Sequence, residues 1–428
     1  MTAITPRSRL NVVIAGHVDH GKSTVAGRLA SDTGNLPQGK LDSVRGFCEQ
    51  NSRPFEYAFL LDALKEERSQ GITIDAARMF LRTARRDYLI IDAPGHSEFI
   101  KNMVSGASSA SAALLVIDAE EGVRENSRRH GYLLSMLGIS QIAVLVNKMD
   151  LVGYRQEVFQ NIAAEYAAAL AQFGIAARVF IPTAAALGEN ISLRAVASMP
   201  WYSGPSTLDA LEAFPAPPAP IDGPVRMPVQ DVYRFEGSGD ERPIVAGTVE
   251  SGSLRAGDEM VFYPSGKTSV IKALQDSAAG CAGPGQAVGF TLTETLDLRR
   301  GEVAARRGET PPHVSQLLRA SVFWFGGDAL RKGRDYQLKL GTARVVARLE
   351  EVARVVDTCT LEVQVGRDCV ERNEAGECIL RLQAPLAFEK SSENLGLGRF
   401  VLVADYEICG AGLVREPLGV SPPEGDLV

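Results

Sequence analysis

The residues GHVDHGKST, numbered 16–24, have types and spacing that suit the binding of nucleotide phosphates. They fit the pattern G-x-x-x-x-G-K-[ST], follow the apolar run NVVIA and precede the stretch STVAGRLASD, which favours a helix. In this pattern loop amides surround the β-phosphate, Lys22 reaches the β/γ oxygens and Ser23 offers a hydroxyl to Mg²⁺. The predicted nucleotide contacts in the loop are Gly16, His17, Val18, Asp19, His20, Gly21, Lys22, Ser23 and Thr24.

Three further residues are candidates for work at the γ-phosphate. DAPG places Asp92 and Gly95 at the end of the run DYLIIDA, where an acid holds a metal through water and a glycine amide meets the phosphate. Thr73, in QGITID, lies in a stretch that could bring a second hydroxyl to Mg²⁺. The predicted metal site therefore consists of Ser23, Thr73 and Asp92.

His96 follows DAPG directly and is a candidate for positioning the attacking water. The alternative is a neutral histidine at the surface or in packing. His17 and His20 are interpreted as shaping the loop, and Asp19 either stabilises its turn or contacts a monovalent cation. The predicted catalytic residues are Lys22, Thr73 and His96.

The sequence NKMD, residues 147–150, lies at the end of another apolar run and predicts which nucleotide base is bound. Asp150 can accept hydrogen bonds from both N1–H and N2–H₂ of guanine, which adenine does not offer. Leaving that carboxylate unpaired is costly, so the motif specifies GTP over ATP. Asn147 and Lys148 complete the predicted base contacts, and the four elements together predict a GTP-binding switch with Mg²⁺ as cofactor.

These motifs sit at the ends of short, continuously apolar runs that alternate with helical stretches. The runs are 11–15, 87–93, 112–119, 141–148 and 177–184, and the clearest helical stretch is 157–174. Such alternation is typical of an α/β domain with a mostly parallel sheet. We therefore predict an α/β P-loop GTPase domain.

A proline-rich stretch, residues 214–224, is interpreted as a stiff linker, and beyond it the alternation of apolar runs and helical stretches ends. Short β-branched runs between Gly and Pro turns predict two antiparallel β-barrels. The predicted domains are 1–220, 221–312 and 313–428. A second GKT, within SGKTS at 265–269, lacks the first glycine of the pattern and is interpreted as a hairpin turn.

The bulk composition restricts the class of protein further. A net charge of -7 argues mildly against a protein that mainly grips nucleic acid. RRGEVAARRGE, at 299–309, does cluster arginines, as a solvated loop or as a patch for phosphate or RNA. The six cysteines form no CxxC, and neither a secretory signal nor a membrane-spanning run is found, so we expect reduced thiols and a cytoplasmic protein.

Beyond these local arguments, longer stretches resemble the translation-factor class of GTPases. They are GHVDHGKST, LLDALKEERSQGITID, DAPGHSEFIKNMVSGAS and VNKMDLV, and the resemblance extends over both barrels. It implies that the segment IPTAAALGEN contacts guanine O6, with Ala184 where the family has serine. Backbone amides at Ala184 and Ala185 are then expected to serve the base.

Within that class, two branches compete. Residues 226–275 and the stretches 322–361 and 397–414 are similar to the large GTPase subunit of bacterial heterodimeric sulfate adenylyltransferase. The other branch is the elongation factors that deliver aminoacyl-tRNA, for which a more basic last barrel is expected. A specialised paralogue in a sulfation pathway is a third possibility.

The first resemblance implies a GTPase that couples hydrolysis to the synthesis of adenosine 5'-phosphosulfate from ATP and sulfate. No SGGxD-type loop for adenylyl chemistry is found, so a separate catalytic small subunit is expected in a heterodimer or larger complex. The resemblance also implies a switch within 34–72 and 93–106. Neither a membrane nor a nucleic acid is expected as partner on this interpretation.

Overall fold

The computed structural model describes residues 9–50, 55–60, 77–94, 103, 107, 110–215, 220–234, 243–275, 280–358, 360 and 362–419. The chain forms two compact units, residues 1–217 and 218–428. The first contains an α/β sheet and the second contains both barrels, so the predicted fold class is confirmed.

The first unit is built on a six-stranded sheet in the order β2-β3-β1-β4-β5-β6. Its strands are β1 (Arg9–Gly16), β2 (Ala77–Arg82), β3 (Asp87–Asp92), β4 (Ala112–Asp118), β5 (Gln141–Asn147) and β6 (Val179–Pro182). All five predicted strands are present, and all five run parallel. Strand β2 was not predicted. It pairs antiparallel to β3 at the edge, where half of its side chains face solvent and weaken the apolar signal.

The helices of the described part of this unit flank the sheet or extend from it. They are α1 (Lys22–Asp32), α2 (Lys40–Gln50), α3 (Glu125–Met136), α4 (Gln156–Gln172) and α5 (Thr207–Ala213), with a 3₁₀ turn at Tyr57–Leu60. The predicted helix at 157–174 corresponds to α4. Strand β4 is buried along its whole length, as expected for a strand covered on both faces.

The second unit begins with a closed six-stranded barrel in the order β10-β11-β13-β8-β7-β14. Its strands, with the short pair β9 and β12, are β7 (Met227–Tyr233), β8 (Ile244–Thr248), β9 (Leu254–Arg255), β10 (Glu259–Tyr263), β11 (Lys267–Leu274), β12 (Cys281–Ala282), β13 (Ala287–Leu292) and β14 (Val303–Arg306). The second GKT lies where β10 turns into β11, and the amide of Gly266 donates to the carbonyl of Phe262 across that turn. Its prediction as a hairpin turn is confirmed.

The last barrel closes a ring of six strands, β17-β22-β23-β15-β21-β18, through a second pairing between β17 and β18. Its elements, with the short strands β16, β19 and β20, are β15 (His313–Trp324), β16 (Leu330–Arg331), β17 (Asp335–Leu340), β18 (Ala343–Asp357), β19 (Val363–Gln364), β20 (Cys369–Val370), β21 (Glu374–Phe388), α6 (Leu395–Gly398), β22 (Arg399–Ala404) and β23 (Glu407–Leu418). Its core includes Trp324, which is 1% exposed.

An ion pair buried between the two barrels joins them. Nε of Arg226, just before β7, contacts the carboxylate of Glu389, just after β21, and the two side chains are 2% and 9% exposed. The same guanidinium donates to the carbonyls of Thr310 (2.7 Å) and Val225 (2.9 Å). A charge removed from water in this way needs such partners, and here the full fork is used.

Within the described residues, no helix has both the length and the apolar character needed to cross a membrane.

Candidate functional site

The loop between β1 and α1 has a backbone that only glycine allows at its critical point. Gly21 has φ 91°, and a Cβ there would collide with the side-chain nitrogen of Asn147. Gly16 is equally confined, because a Cβ would run into the carbonyl of Val116 on β4. Helix α1 begins at Lys22, so the unpaired amides of its first turn face the loop. The result is a cradle for an anion at the carboxyl edge of the sheet.

Lys22 is held over this cradle. Its side chain is buried and its Nζ donates to the carbonyl of His17 at 2.7 Å. Burial lowers the pKa of Lys22 to about 8, although Asp92 and Asp19 nearby favour its charged form. A cation without full hydration at this position is suited to bind phosphate oxygens.

Ser23 and Asp92 bring two oxygen ligands together. The hydroxyl of Ser23, in the first turn of α1, donates to Oδ2 of Asp92 at 2.6 Å. Asp92 is the last residue of β3 and is 2% exposed. Hydroxyl and carboxylate oxygens are the donors that Mg²⁺ prefers, so this pair fits the predicted metal.

His20 anchors the loop to the sheet. It is fully buried, and its Nδ1–H donates to the carbonyl of Val116 at 3.1 Å. Burial lowers its pKa to about 4, so the ring is neutral at physiological pH despite Glu121 at 3.6 Å. Burial also lowers the pKa of His17, whose ring packs edge-on against the ring of His20 at a centroid distance of 5.2 Å. These contacts accord with the loop-shaping interpretation of both histidines.

Asn147, at the end of β5, ties the loop to the segment after β6. Its Nδ2 donates to the carbonyl of His20 at 3.0 Å. Its Oδ1 accepts from the amide of Ala185 (3.0 Å) and the hydroxyl of Thr183 (3.2 Å). The amide of Ala184 donates to the carbonyl of Glu189 at 3.2 Å. We call residues 183–190 the base segment.

Lys148 shows a partner that the sequence analysis missed. Its Nζ lies 2.7 Å from Oδ2 of Asp118, the last residue of β4. Burial raises the pKa of Asp118, but the hydrogen bonds from Lys148 and from the amides of Glu120 and Glu121 lower it further, so the net shift is downward. The signal was available in the sequence, since an acid lies near the end of the apolar run 112–119, as Asp92 does in the run 87–93.

Asp150 lies in the turn after β5 and is partly exposed. That turn is secured by Trp201, whose indole Nε1 donates to the carbonyl of Tyr154 at 2.9 Å. Thr73, Gly95 and His96 lie outside the described residues, and their predicted roles stay predictions.

The described site residues come from the carboxyl ends of neighbouring parallel strands, with β1 between β3 and β4. This is the edge at which open α/β sheets bind ligands. A glycine-bounded loop, a buried lysine, a Ser–Asp pair and an NKMD turn here define a P-loop GTPase.

Comparisons with known proteins agree. The family model for the elongation factor Tu GTP binding domain matches residues 7–252, and that for the GTP-eEF1A C-terminal domain-like family matches residues 317–415. Elongation factor 1-alpha of Pyrococcus horikoshii is 36% identical over 423 residues, covering 95% of this chain and 97% of that protein. The chain belongs to the elongation factor Tu family of GTP-binding proteins.

Two bifunctional enzymes are equally similar. The bifunctional enzyme CysN/CysC of Xylella fastidiosa is 39% identical over 403 residues, covering 92% of this chain and 63% of that enzyme. The bifunctional enzyme NodQ of a Rhizobium species is 36% identical over 423 residues, covering 96% of this chain and 65% of that enzyme. The chain thus spans less than two thirds of either enzyme.

Proposed function

We propose that this chain is the GTP-hydrolysing subunit of a sulfate adenylyltransferase. A separate catalytic small subunit would make adenosine 5'-phosphosulfate from ATP and sulfate, and hydrolysis of GTP by this chain would drive that reaction. The proposal is supported by the resemblance of both barrels to the large subunit of that enzyme, and the similarity to CysN/CysC and NodQ accords with it.

The observation that favours this function over tRNA delivery is the charge of the barrels. Residues 218–428 contain 24 Lys and Arg against 30 Asp and Glu, a net charge of -6. A surface that grips a polynucleotide needs uncompensated Lys and Arg, because the release of counterions drives such binding.

Several arginines of the barrels also form ion pairs. In the cluster 299–309, Arg306 contacts Asp258 (2.9 Å) and Glu309 (2.7 Å), and Arg307 pairs with Glu259. On the last barrel, ion pairs are made by Arg319, Arg334, Arg348, Arg354 and Arg381. Of the two interpretations of the cluster, these contacts agree less well with a patch for phosphate or RNA. The stretch is not a loop throughout, however, because Val303–Arg306 form β14.

At the nucleotide, the roles follow from position. Lys22 and the amides of the loop would hold phosphate oxygens, and Asp150 would accept the guanine N–H groups. Ser23 and Thr73 would hold Mg²⁺ with Asp92 behind them, and the metal would neutralise charge that develops on the phosphates. His96 would orient the attacking water.

The base segment completes this proposal. Because the amides of Ala184 and Ala185 are hydrogen-bonded within the protein, they fix the shape of the segment, and the base would lie against it rather than rest on a serine hydroxyl. GTP specificity would then depend mainly on Asp150.

The test combines the full chain with the small adenylyltransferase subunit. Pyrophosphate release from ATP and sulfate is measured with GTP, with a non-hydrolysable GTP analogue and without guanine nucleotide. We expect product only with both chains, and several-fold more with GTP than with the analogue. GTP hydrolysis that is indifferent to sulfate and to the small subunit would overturn the proposal.

The alternative function, delivery of aminoacyl-tRNA, is favoured by the elongation factor 1-alpha relatives, which match over nearly their whole length. Tight, GTP-dependent binding of aminoacyl-tRNA by the chain alone would establish it instead. On the proposed function, no such binding is expected.

A further inference from the structure

Arg28, in the middle of α1, contacts the base segment and Tyr57. Its guanidinium NH1 donates to the carbonyl of Ala186 in the base segment at 3.3 Å. Its Nε pairs with Asp32 one turn later at 2.7 Å. Its plane lies over the ring of Tyr57, 4.9 Å from the centroid. One planar fork therefore holds three separate parts of the chain.

The residues around Arg28 are shaped for these contacts. Gly188, with φ 83°, lies against the guanidinium so closely that a Cβ would collide with it. Asp32, besides pairing with Arg28, accepts a hydrogen bond of 2.7 Å from Ser192, just beyond the base segment. Helix α1 is thus joined to the base segment through Arg28 and to Ser192, just beyond that segment, through Asp32.

Tyr57 belongs to residues 55–60, which we call the docked turn. Its carbonyl lies so close to Gly27 of α1 that a Cβ on Gly27 would overlap it. The docked turn also shares a small core with α2, in which Leu60 is 1% exposed. Along the chain it leads directly into residues 61–76, which include the predicted Mg²⁺ ligand Thr73.

We propose that Arg28 is a positioning residue that couples guanine recognition to the docked turn. Guanine bound against the base segment would fix the carbonyl of Ala186, and Arg28 would transmit this order to Tyr57. The segment that leads to the γ-phosphate side of the site would thereby sense whether the base is guanine. The inference rests on the proposed binding of GTP.

The experiment is hydrogen exchange of the full chain, followed by mass spectrometry on peptides that cover residues 55–60. The probes are GDP and inorganic pyrophosphate, each at saturation, since pyrophosphate fills the phosphate loop without a base. In the wild-type chain, GDP should slow exchange of the docked turn about tenfold more than pyrophosphate does. This base-dependent difference is a readout that a merely structural role of Arg28 does not change.

The variant R28M should lose that difference while still binding GDP. R28K, which keeps the charge but lacks the fork, should restore only part of it. The matched control is R128M, since Arg128 on α3 makes only a surface pair with Glu165 at 2.9 Å among the described contacts. It should behave as the wild type does.

A second variant protects the test from a folding defect in R28M. Y57L leaves Arg28 in place but removes the ring over which it lies, and it should abolish the same difference. If R28M and Y57L bind GDP and keep the base-dependent protection, the inference is overturned and the proposed function stands. If the wild-type chain does not bind GDP, both fall.

Discussion

On the proposed function, base selection depends mainly on Asp150, because the resemblance implies a serine at position 184 and this chain has alanine there. The substitution D150N replaces an acceptor of two N–H groups with an amide, whose oxygen can accept from N1–H of xanthine and whose NH₂ can donate to the C2 carbonyl of xanthine. We expect GTP affinity to fall about 10³-fold or more and XTP affinity to rise. Competition of both nucleotides against a fluorescent GDP analogue measures this. Equal loss of both would show that Asp150 acts on structure and not on the base.

His130, on α3, is expected to make the stability of the first unit depend on pH. It is 2% exposed, and burial, assisted by Lys22 and Arg129, lowers its pKa to about 3. The folded chain keeps the ring neutral, whereas the unfolded chain protonates it near pH 6.5. The stability that it contributes is therefore present above pH 6.5 and is lost as pH falls toward 3, up to tenfold in the unfolding constant per pH unit.

The measurement is urea unfolding of the wild-type chain and of H130Q at pH 7, 6 and 5. H130Q should lose less stability than the wild type over this range, because glutamine takes up no proton. Parallel curves for the two proteins would contradict the assignment.

At the scale of elements, the packing of the docked turn on α1 makes Gly27 a requirement. Alanine is the better helix former by about 1 kcal/mol, so propensity alone favours G27A. The carbonyl of Tyr57 leaves no space for a Cβ, however, and overpacking of this kind typically costs about 1–3 kcal/mol. We expect G27A to lower the thermal midpoint.

Gly46 offers the matched control for this prediction. It lies within α2, and a Cβ there meets no atom within 4 Å among the described residues. G46A should therefore raise stability by about 0.5–1 kcal/mol. If both variants are stabilising, the docked turn does not hold Gly27 closely in solution.

At the scale of the whole molecule, the pair Arg226–Glu389 is the contact on which the joining of the barrels most depends. R226M leaves a buried carboxylate without its partner, and we expect a cost of about 3–5 kcal/mol to the second unit. The double variant R226M/E389L should recover much of it, because an apolar pair has no charge to desolvate.

The control is R319M, which removes an exposed pair with Glu416 (2.6 Å) and should cost less than about 1 kcal/mol. Urea unfolding is followed by tryptophan emission in a W201F background, in which Trp324 of the second unit is the remaining tryptophan. Similar losses in R226M and R319M would mean that water reaches the pair between the barrels.

Short patterns in the amino-acid sequence were enough to predict the fold class and the local parts of the site. The strand–loop–helix around Lys22, the acid ending β3 and the NKMD turn after β5 are all read from short patterns, because their chemistry depends on backbone geometry within a few residues. The edge strand β2 was not predicted, because half of its side chains face solvent and its sequence is not continuously apolar.

The contacts between distant parts of the chain could not be predicted in this way and are seen only in the folded structure. Asn147 and His20 are 127 residues apart, Arg28 and Ala186 are 158 apart, and Arg226 and Glu389 are 163 apart. A single sequence has no local signal for such pairs, because the residues around an arginine do not show whether its guanidinium is exposed or lies in a buried ion pair. Only the folded structure shows how deeply a side chain is buried and which groups it faces. These two properties let Asn147 connect the phosphate loop to the base segment, Arg28 contact two separate segments and Arg226 connect the two barrels.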